Sequence, residues 1–140
     1  MKLLTDTKLD FTDVLLLPKR SEYVSRSEAT LERTFKFKYS QHTWTGLPIM
    51  VSNMDTTGTI EIALEMQKHK MLTCLHKYYT CDDLTKAILD KNLDRNYFAV
   101  STGIREDDLA RLDKIVTQIK PIFICIDVAN GYMTKFIKTC

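Results

Sequence analysis

Glycine and proline are scarce here, with four of the first and three of the second in 140 residues. So few chain-breakers leave no room for a flexible linker, a collagen-like repeat or a proline-rich spacer. Long apolar runs are missing too, so nothing is read as a membrane span. Met1–Asp10 lacks the apolar core and cleavage site of a secretory signal. A transit peptide would be poor in acid, whereas Asp6 and Asp10 come early, so a cytoplasmic location is expected. No excess of one charge sign exists either. Twenty Lys and Arg face eighteen Asp and Glu, which leaves no electrostatic footprint for nucleic acid or an acidic membrane surface. Cys74, Cys81, Cys125 and Cys140 form no C-x-x-C pair, and no histidine lies at zinc-finger spacing from them. Cys74 and Cys125 sit in apolar runs and read as small buried hydrophobes. No metal is expected.

What is present is periodic. Leu31, Arg33, Phe35, Phe37 and Tyr39 alternate with Glu32, Thr34, Lys36 and Lys38, the pattern of a half-buried strand. Val14–Leu17 is a short apolar run stopped by Pro18. From Pro48 the texture changes. Pro48–Asn53, apolar through Val51, reads as a strand buried on both faces, and Ile60, Ala63, Leu64 and Gln67 follow at helical spacing. Met71–Leu75 is a second strand. Thr80-Cys81-Asp82-Asp83 has the form of a capping box opening a helix through Leu84, Ala87 and Ile88. Tyr97–Ser101 is a third strand, followed by a helix marked by Leu109, Leu112, Val116 and Ile119. Ile122–Ile126 is a fourth, and Tyr132–Lys138 begins a fourth helix. Strand–helix repeated four times predicts a parallel sheet in an α/β protein. Two architectures are open, a doubly wound sheet and a (β/α)8 barrel. The absence of G-x-G-x-x-G after the first strand weighs against a dinucleotide-binding open sheet. A barrel takes about 250 residues, so as a barrel this is one half.

Polar residues gather where the strands end: Asn53–Thr59, His76–Tyr79, Ser101-Thr102-Gly103 and Asp127–Tyr132. In both folds the carboxyl ends of parallel strands line the active site. Asp55 has an equally good reading as a helix cap, and His76 and Lys77 as a solvated pair. Ser101-Thr102-Gly103 has the composition of an ordinary turn. Asp127 leaves a buried strand and calls for a partner. A Lys77–Asp127 pair is the strongest single site expectation, although structural ion pairs look the same from sequence.

These segments resemble one family. Asp10-Phe11-x-Asp13-Val14-Leu15-Leu16, Pro18-Lys19-Arg20-Ser21 and Ser25-Arg26-Ser27-Glu28 are similar to the opening of the inosine monophosphate dehydrogenase and guanosine monophosphate reductase superfamily. Gly46-x-Pro48-Ile49, Asn53-Met54-Asp55-Thr56-x-Gly58-Thr59, His76-Lys77-x-Tyr79, Val100-Ser101-Thr102-Gly103 and Cys125-x-Asp127-Val128-Ala129-Asn130-Gly131-Tyr132 follow in order. The dehydrogenases carry a serine-rich stretch at the last of these and usually insert a regulatory domain after the second strand–helix unit. Neither is found here, which points to the reductase branch. Leu17, Thr57 and Tyr78 depart from the usual arginine, valine and histidine.

The resemblance implies the N-terminal half of a (β/α)8 TIM barrel, with residues 1–46 as an N-terminal segment and 47–140 as the first four strand–helix units. It implies reductive deamination of guanosine monophosphate (GMP) to inosine monophosphate (IMP) and ammonia, with NADPH as cofactor and a homotetrameric assembly. In that family a cysteine attacks purine C2, ammonia leaves, and hydride resolves the covalent adduct. That cysteine matches none of the four here, so the 140 residues alone are expected to be inactive. Lys77 and Asp127-Val128-Ala129 match cofactor contacts at the barrel mouth, and Ser25-Arg26 matches a pair reaching the cofactor of the adjacent subunit. The alternatives are a dehydrogenase lacking its regulatory domain and a non-catalytic segment that associates with other subunits.

Overall fold

The computed structural model describes residues 3–140. The chain forms two compact units, Met1–Thr30 and Leu31–Cys140. The boundary falls before the expected N-terminal strand.

The first unit is extended chain with two single-turn 3-10 helices, Phe11–Asp13 and Arg26–Glu28. Each is closed reciprocally. Asp10 N–H donates to Asp13 Oδ2 at 2.8 Å, and Ser25 N–H donates to Glu28 Oε1 at 3.0 Å. The Val14–Leu17 run forms no strand, and Leu15 and Leu16 are almost wholly exposed. An apolar run without a pairing partner has no ladder to join.

The second unit opens with a hairpin. Strand β1 (Arg33–Lys36) pairs antiparallel with β2 (Thr43–Gly46), with Phe35 opposite Trp44. The alternation read over 31–39 is realised only at its centre, where the Phe35 and Trp44 rings stack at 6.2 Å. Leu31 and Tyr39 are exposed. The Trp44 indole N–H donates to the Asn96 carbonyl at 2.8 Å. Phe37 and His42 both pack edge-on against Phe123. These contacts bind the hairpin to the sheet. Gly46 permits the approach, since a Cβ there would collide with the Lys70 carbonyl oxygen.

The remaining elements alternate: β3 (Met50–Val51), α1 (Ile60–Met66), β4 (Leu72–Leu75), α2 (Cys81–Lys91), β5 (Phe98–Thr102), α3 (Glu106–Ile119), β6 (Phe123–Ile126) and α4 (Thr134–Thr139). The sheet order is β3-β4-β5-β6, every pair parallel. Period two divides the strand residues. Leu75, Phe98 and Val100 join Ile60, Ala63, Leu84, Ala87, Ile115 and Ile119 in a core between sheet and helices. On α3 Ile119 is buried and Leu112 packs on the core as expected, but Ile115 is the fully buried residue where Val116 was expected, and Val116 is exposed. Leu72, Cys74, Ala99, Phe123 and Cys125 face the other way, where with the hairpin aromatics they line an apolar hollow of about 470 Å³. Among the described residues no helix is long and apolar enough to cross a membrane.

Two outcomes follow from this architecture. As an isolated polypeptide, residues 1–140 present the hollow and the edges of β3 and β6, and exposed edges template association. Light scattering with an apolar-surface dye should show oligomers or strong dye binding; a compact, dye-silent monomer would contradict the half-barrel arrangement. On α2, Thr80 Oγ1 accepts from Asp83 N–H at 3.2 Å and Asp83 Oδ2 accepts from Thr80 N–H at 2.9 Å. The Thr80 hydroxyl, and then its amide, hold the Asp83 carboxyl below its usual range. That contribution exists above the unfolded carboxylate value and is lost as pH falls through the folded one. Thr80→Ala should therefore weaken α2 by about 1 kcal/mol near neutrality, read by amide exchange in its first turn, and by less in acid.

Candidate functional site

A parallel sheet delivers all its strand carboxyl ends to one edge. At that edge lies a cavity of about 280 Å³, lined by Lys77 after β4, Gly103 and Arg105 after β5, and Asp127, Val128 and Ala129 after β6. The four positions expected from sequence around Lys77 and Asp127 are thus brought together in space.

The expected Lys77–Asp127 ion pair is not formed. The Asp127 carboxylate accepts instead from Asn53 Nδ2 at 3.0 Å, joining the loop after β3 to the end of β6. The Lys77 ammonium sits 5.9 Å from the Tyr78 ring centroid and, among the described residues, pairs with no carboxylate. The physical reason is solvation. Both residues are exposed, so neither needs a counter-ion, and an exposed pair gains little once its ordering cost is met. Asp127 still continues the ladder, its N–H donating to the Thr102 carbonyl at 2.8 Å.

Other candidates have local roles. Asp55 lies in a turn, and the cap of α1 is Thr59, whose hydroxyl accepts from Ile62 N–H at 3.2 Å. His76 is turned into its own loop. Its ring stacks on Tyr79 with centroids 4.1 Å apart, its N–H donates to the Gly58 carbonyl, and its Nδ1 accepts from Tyr78 N–H. Ser101 and Thr102 are buried, and the Thr102 hydroxyl bonds to the Gly103 and Asp108 carbonyls. Ser25 and Arg26 belong to the first unit. Ser25 caps the turn there, and Arg26 is exposed.

The four cysteines are free. Cys74 and Cys125 line the apolar hollow rather than the mouth. Hydrogen bonding with Cys125, together with burial, pushes the Cys74 thiol up, which makes it a poor nucleophile. Among the described residues no group of three or more His, Cys, Asp or Glu could hold a metal ion.

Sequence reasoning missed Arg105 and Asp108 as lining residues. Arg105 was within reach, since it stands two residues past the Ser101-Thr102-Gly103 turn. Asn53 stood among the polar clusters, but its partner is 74 residues away, and nothing local signals such a contact. Asp108 serves α3, its carboxylate accepting from Arg105 N–H at 3.3 Å. Gly103 lets it approach, because a Cβ there would strike that carboxylate.

Comparison with known proteins gives the family and the fold. A family model described as the IMP dehydrogenase / GMP reductase domain matches residues 8–140. The chain is 48% identical over 135 residues to GMP reductase 1 of Mus musculus, covering 95% of this chain and 39% of that protein. It is 42% identical over 135 residues to GMP reductase of Caenorhabditis elegans, covering 95% of this chain and 38% of that protein. The fold is similar to the crystal structure of inosine 5′-monophosphate dehydrogenase from Legionella pneumophila, with a TM-score of 0.70 and 27% identity over 92% of this chain and 38% of that one. The sheet and its helices are the first half of a (β/α)8 barrel. The chain spans about two fifths of the length of the curated relatives it matches.

The Asn53–Asp127 bond is open to a direct test. Asn53→Asp would set two carboxylates where that bond now stands, a repulsion of about 1 kcal/mol at an exposed site. Amide exchange over residues 127–130 should rise about fivefold, and by less in Asn53→Ser, which loses the bond without adding a charge. Unchanged exchange in Asn53→Asp would mean that Asn53 does not hold the loop.

Proposed function

This chain belongs to the IMP dehydrogenase / GMP reductase family, and from that premise we propose that it serves NADPH-dependent reductive deamination of GMP to IMP and ammonia. The observation that carries the reading is the convergence of Lys77 and Asp127-Val128-Ala129 on one cavity at the strand carboxyl ends. The relatives named GMP reductase support the choice of branch at 42–48% identity, against 27% for the solved dehydrogenase.

The donor set suits an anionic dinucleotide. Lys77 and Arg105 supply two cations, Asp127 supplies an acceptor, and the second lining carboxylate, Asp108, is engaged by the Arg105 N–H. The cavity falls just short of the roughly 300–1,000 Å³ of a drug-sized ligand site, so it takes one end of the cofactor. Lys77, with no carboxylate partner among the described residues, can meet phosphate or a polar ring substituent. Asp127, fixed by Asn53, accepts from a hydroxyl or amide. Val128 and Ala129 give a small apolar wall where a planar ring can lie. When bound, NADPH supplies hydride. Ser25 and Arg26 are proposed to act on the cofactor of a neighbouring subunit, Arg26 through its planar donor fork, in a cytoplasmic homotetramer.

The test is a paired assay in the full-length protein, GMP-dependent NADPH oxidation against IMP-dependent NAD reduction. The first should be observed and the second not. Lys77→Ala and Asp127→Ala should each cost roughly ten- to a hundredfold in kcat/KM, as expected for losing a hydrogen bond to a charged group. Near-parental rates in both would make them surface charges. Residues 1–140 alone should oxidise no NADPH with GMP, since no cysteine here matches the family's nucleophile; measurable turnover by that polypeptide would refute the assignment.

A further inference from the structure

The loop carrying Lys77 is held from an unexpected direction. β4 leaves its ladder after Leu75, the last residue paired with β5 at Val100, whereas β5 runs on beside β6 to the Thr102–Ile126 pair. Carbonyls alternate along a strand, and the Thr102 carbonyl accepts from Asp127 N–H on the β6 side. The Ser101 carbonyl therefore points to the side that β4 has vacated. A buried carbonyl without a partner is costly.

Arg111, on α3, fills this gap. Its Nη2 donates to the Ser101 carbonyl at 2.6 Å, and its Nη1 donates to the Tyr79 carbonyl at 3.4 Å. Arg111 is half-buried and, among the described residues, makes no ion pair within 4.0 Å. Its planar fork thus spans two backbone segments, which a lysine's single ammonium does not do with the same geometry. From the other side the Tyr79 hydroxyl accepts from Ile60 N–H at 3.0 Å, and the Tyr79 ring carries the stacked His76. Lys77 sits between His76 and Tyr79, and both flanks are fixed while the lysine side chain stays exposed.

We propose that Arg111 is a positioning residue for Lys77, tying the loop after β4 to the end of β5 so that the ammonium faces Gly103 and Asp127 across the mouth. The proposal rests on the reading of that mouth as the cofactor site. A bland reading exists, in which Arg111 only anchors α3 to the sheet, and the experiment is chosen to separate the two.

The measurements are steady-state kinetics and amide exchange on the full-length protein. Arg111→Lys keeps the charge and most of the stem, and Arg111→Gln, shorter and neutral, serves if the first does not fold. Either should raise the NADPH KM roughly tenfold, as a small misplacement of a binding group does, with the GMP KM within about twofold. Amides of 77–80 should exchange faster, while those in the middle of α3 stay at parental rates. The effect on NADPH KM should vanish when Arg111→Lys is combined with Lys77→Ala, because a positioning residue has nothing left to position. An unchanged NADPH KM in both Arg111 variants, or an effect that adds in full to Lys77→Ala, would overturn the role of Arg111. If Lys77→Ala itself leaves the NADPH KM unchanged, the reading of the mouth fails and takes this proposal with it.

Discussion

Two strands can lie parallel only if the chain between them returns to the starting edge, and in this protein each return is made by a helix. Three consequences follow from that one constraint. The helices must cover one sheet face, so Phe98, Val100 and Leu75 become core. The opposite face stays concave and apolar, closed in part by the Trp44 hairpin. Every strand ends at the same edge, so four loops from distant parts of the chain share one rim. The candidate site exists because of the topology; no loop contains it alone.

Much of this was legible in the sequence, and particular residues show why. The helix over 81–91 announced itself in Thr80 and Asp83, because capping is decided within four residues. The strands at 72–75, 98–102 and 123–126 were visible as short apolar runs between polar clusters. What failed was of longer range. β3 has only two ladder residues where a strand over 48–53 was expected, since a strand lasts only as long as its neighbour stays beside it. β2 was not read at all, since Thr43–Gly46 has no strong alternation and owes its place to pairing with β1. Asn53 and Asp127 found one another only through the fold.

The site shows the same division. Which residues would crowd the mouth was readable from their positions after strands. Which of them touch was not. A Lys77–Asp127 pair was expected because a carboxylate leaving a dry strand needs a partner, but both residues reach water, and the loops are held by contacts that pair no two opposite charges. Asn53 fixes Asp127, Tyr79 braces His76, and Arg111 bonds to carbonyls. The charged groups that a ligand would use are thereby left unspent on one another, which suits the anionic cofactor proposed for this mouth.

The central claim is that this rim receives the cofactor, and the most direct measurement is a structure of the full-length protein with NADPH bound. The account predicts the dinucleotide in contact with Lys77 and with Asp127, Val128 and Ala129, one end seated between the loops after β4, β5 and β6. NADPH bound elsewhere, with these residues still open to solvent, would contradict it.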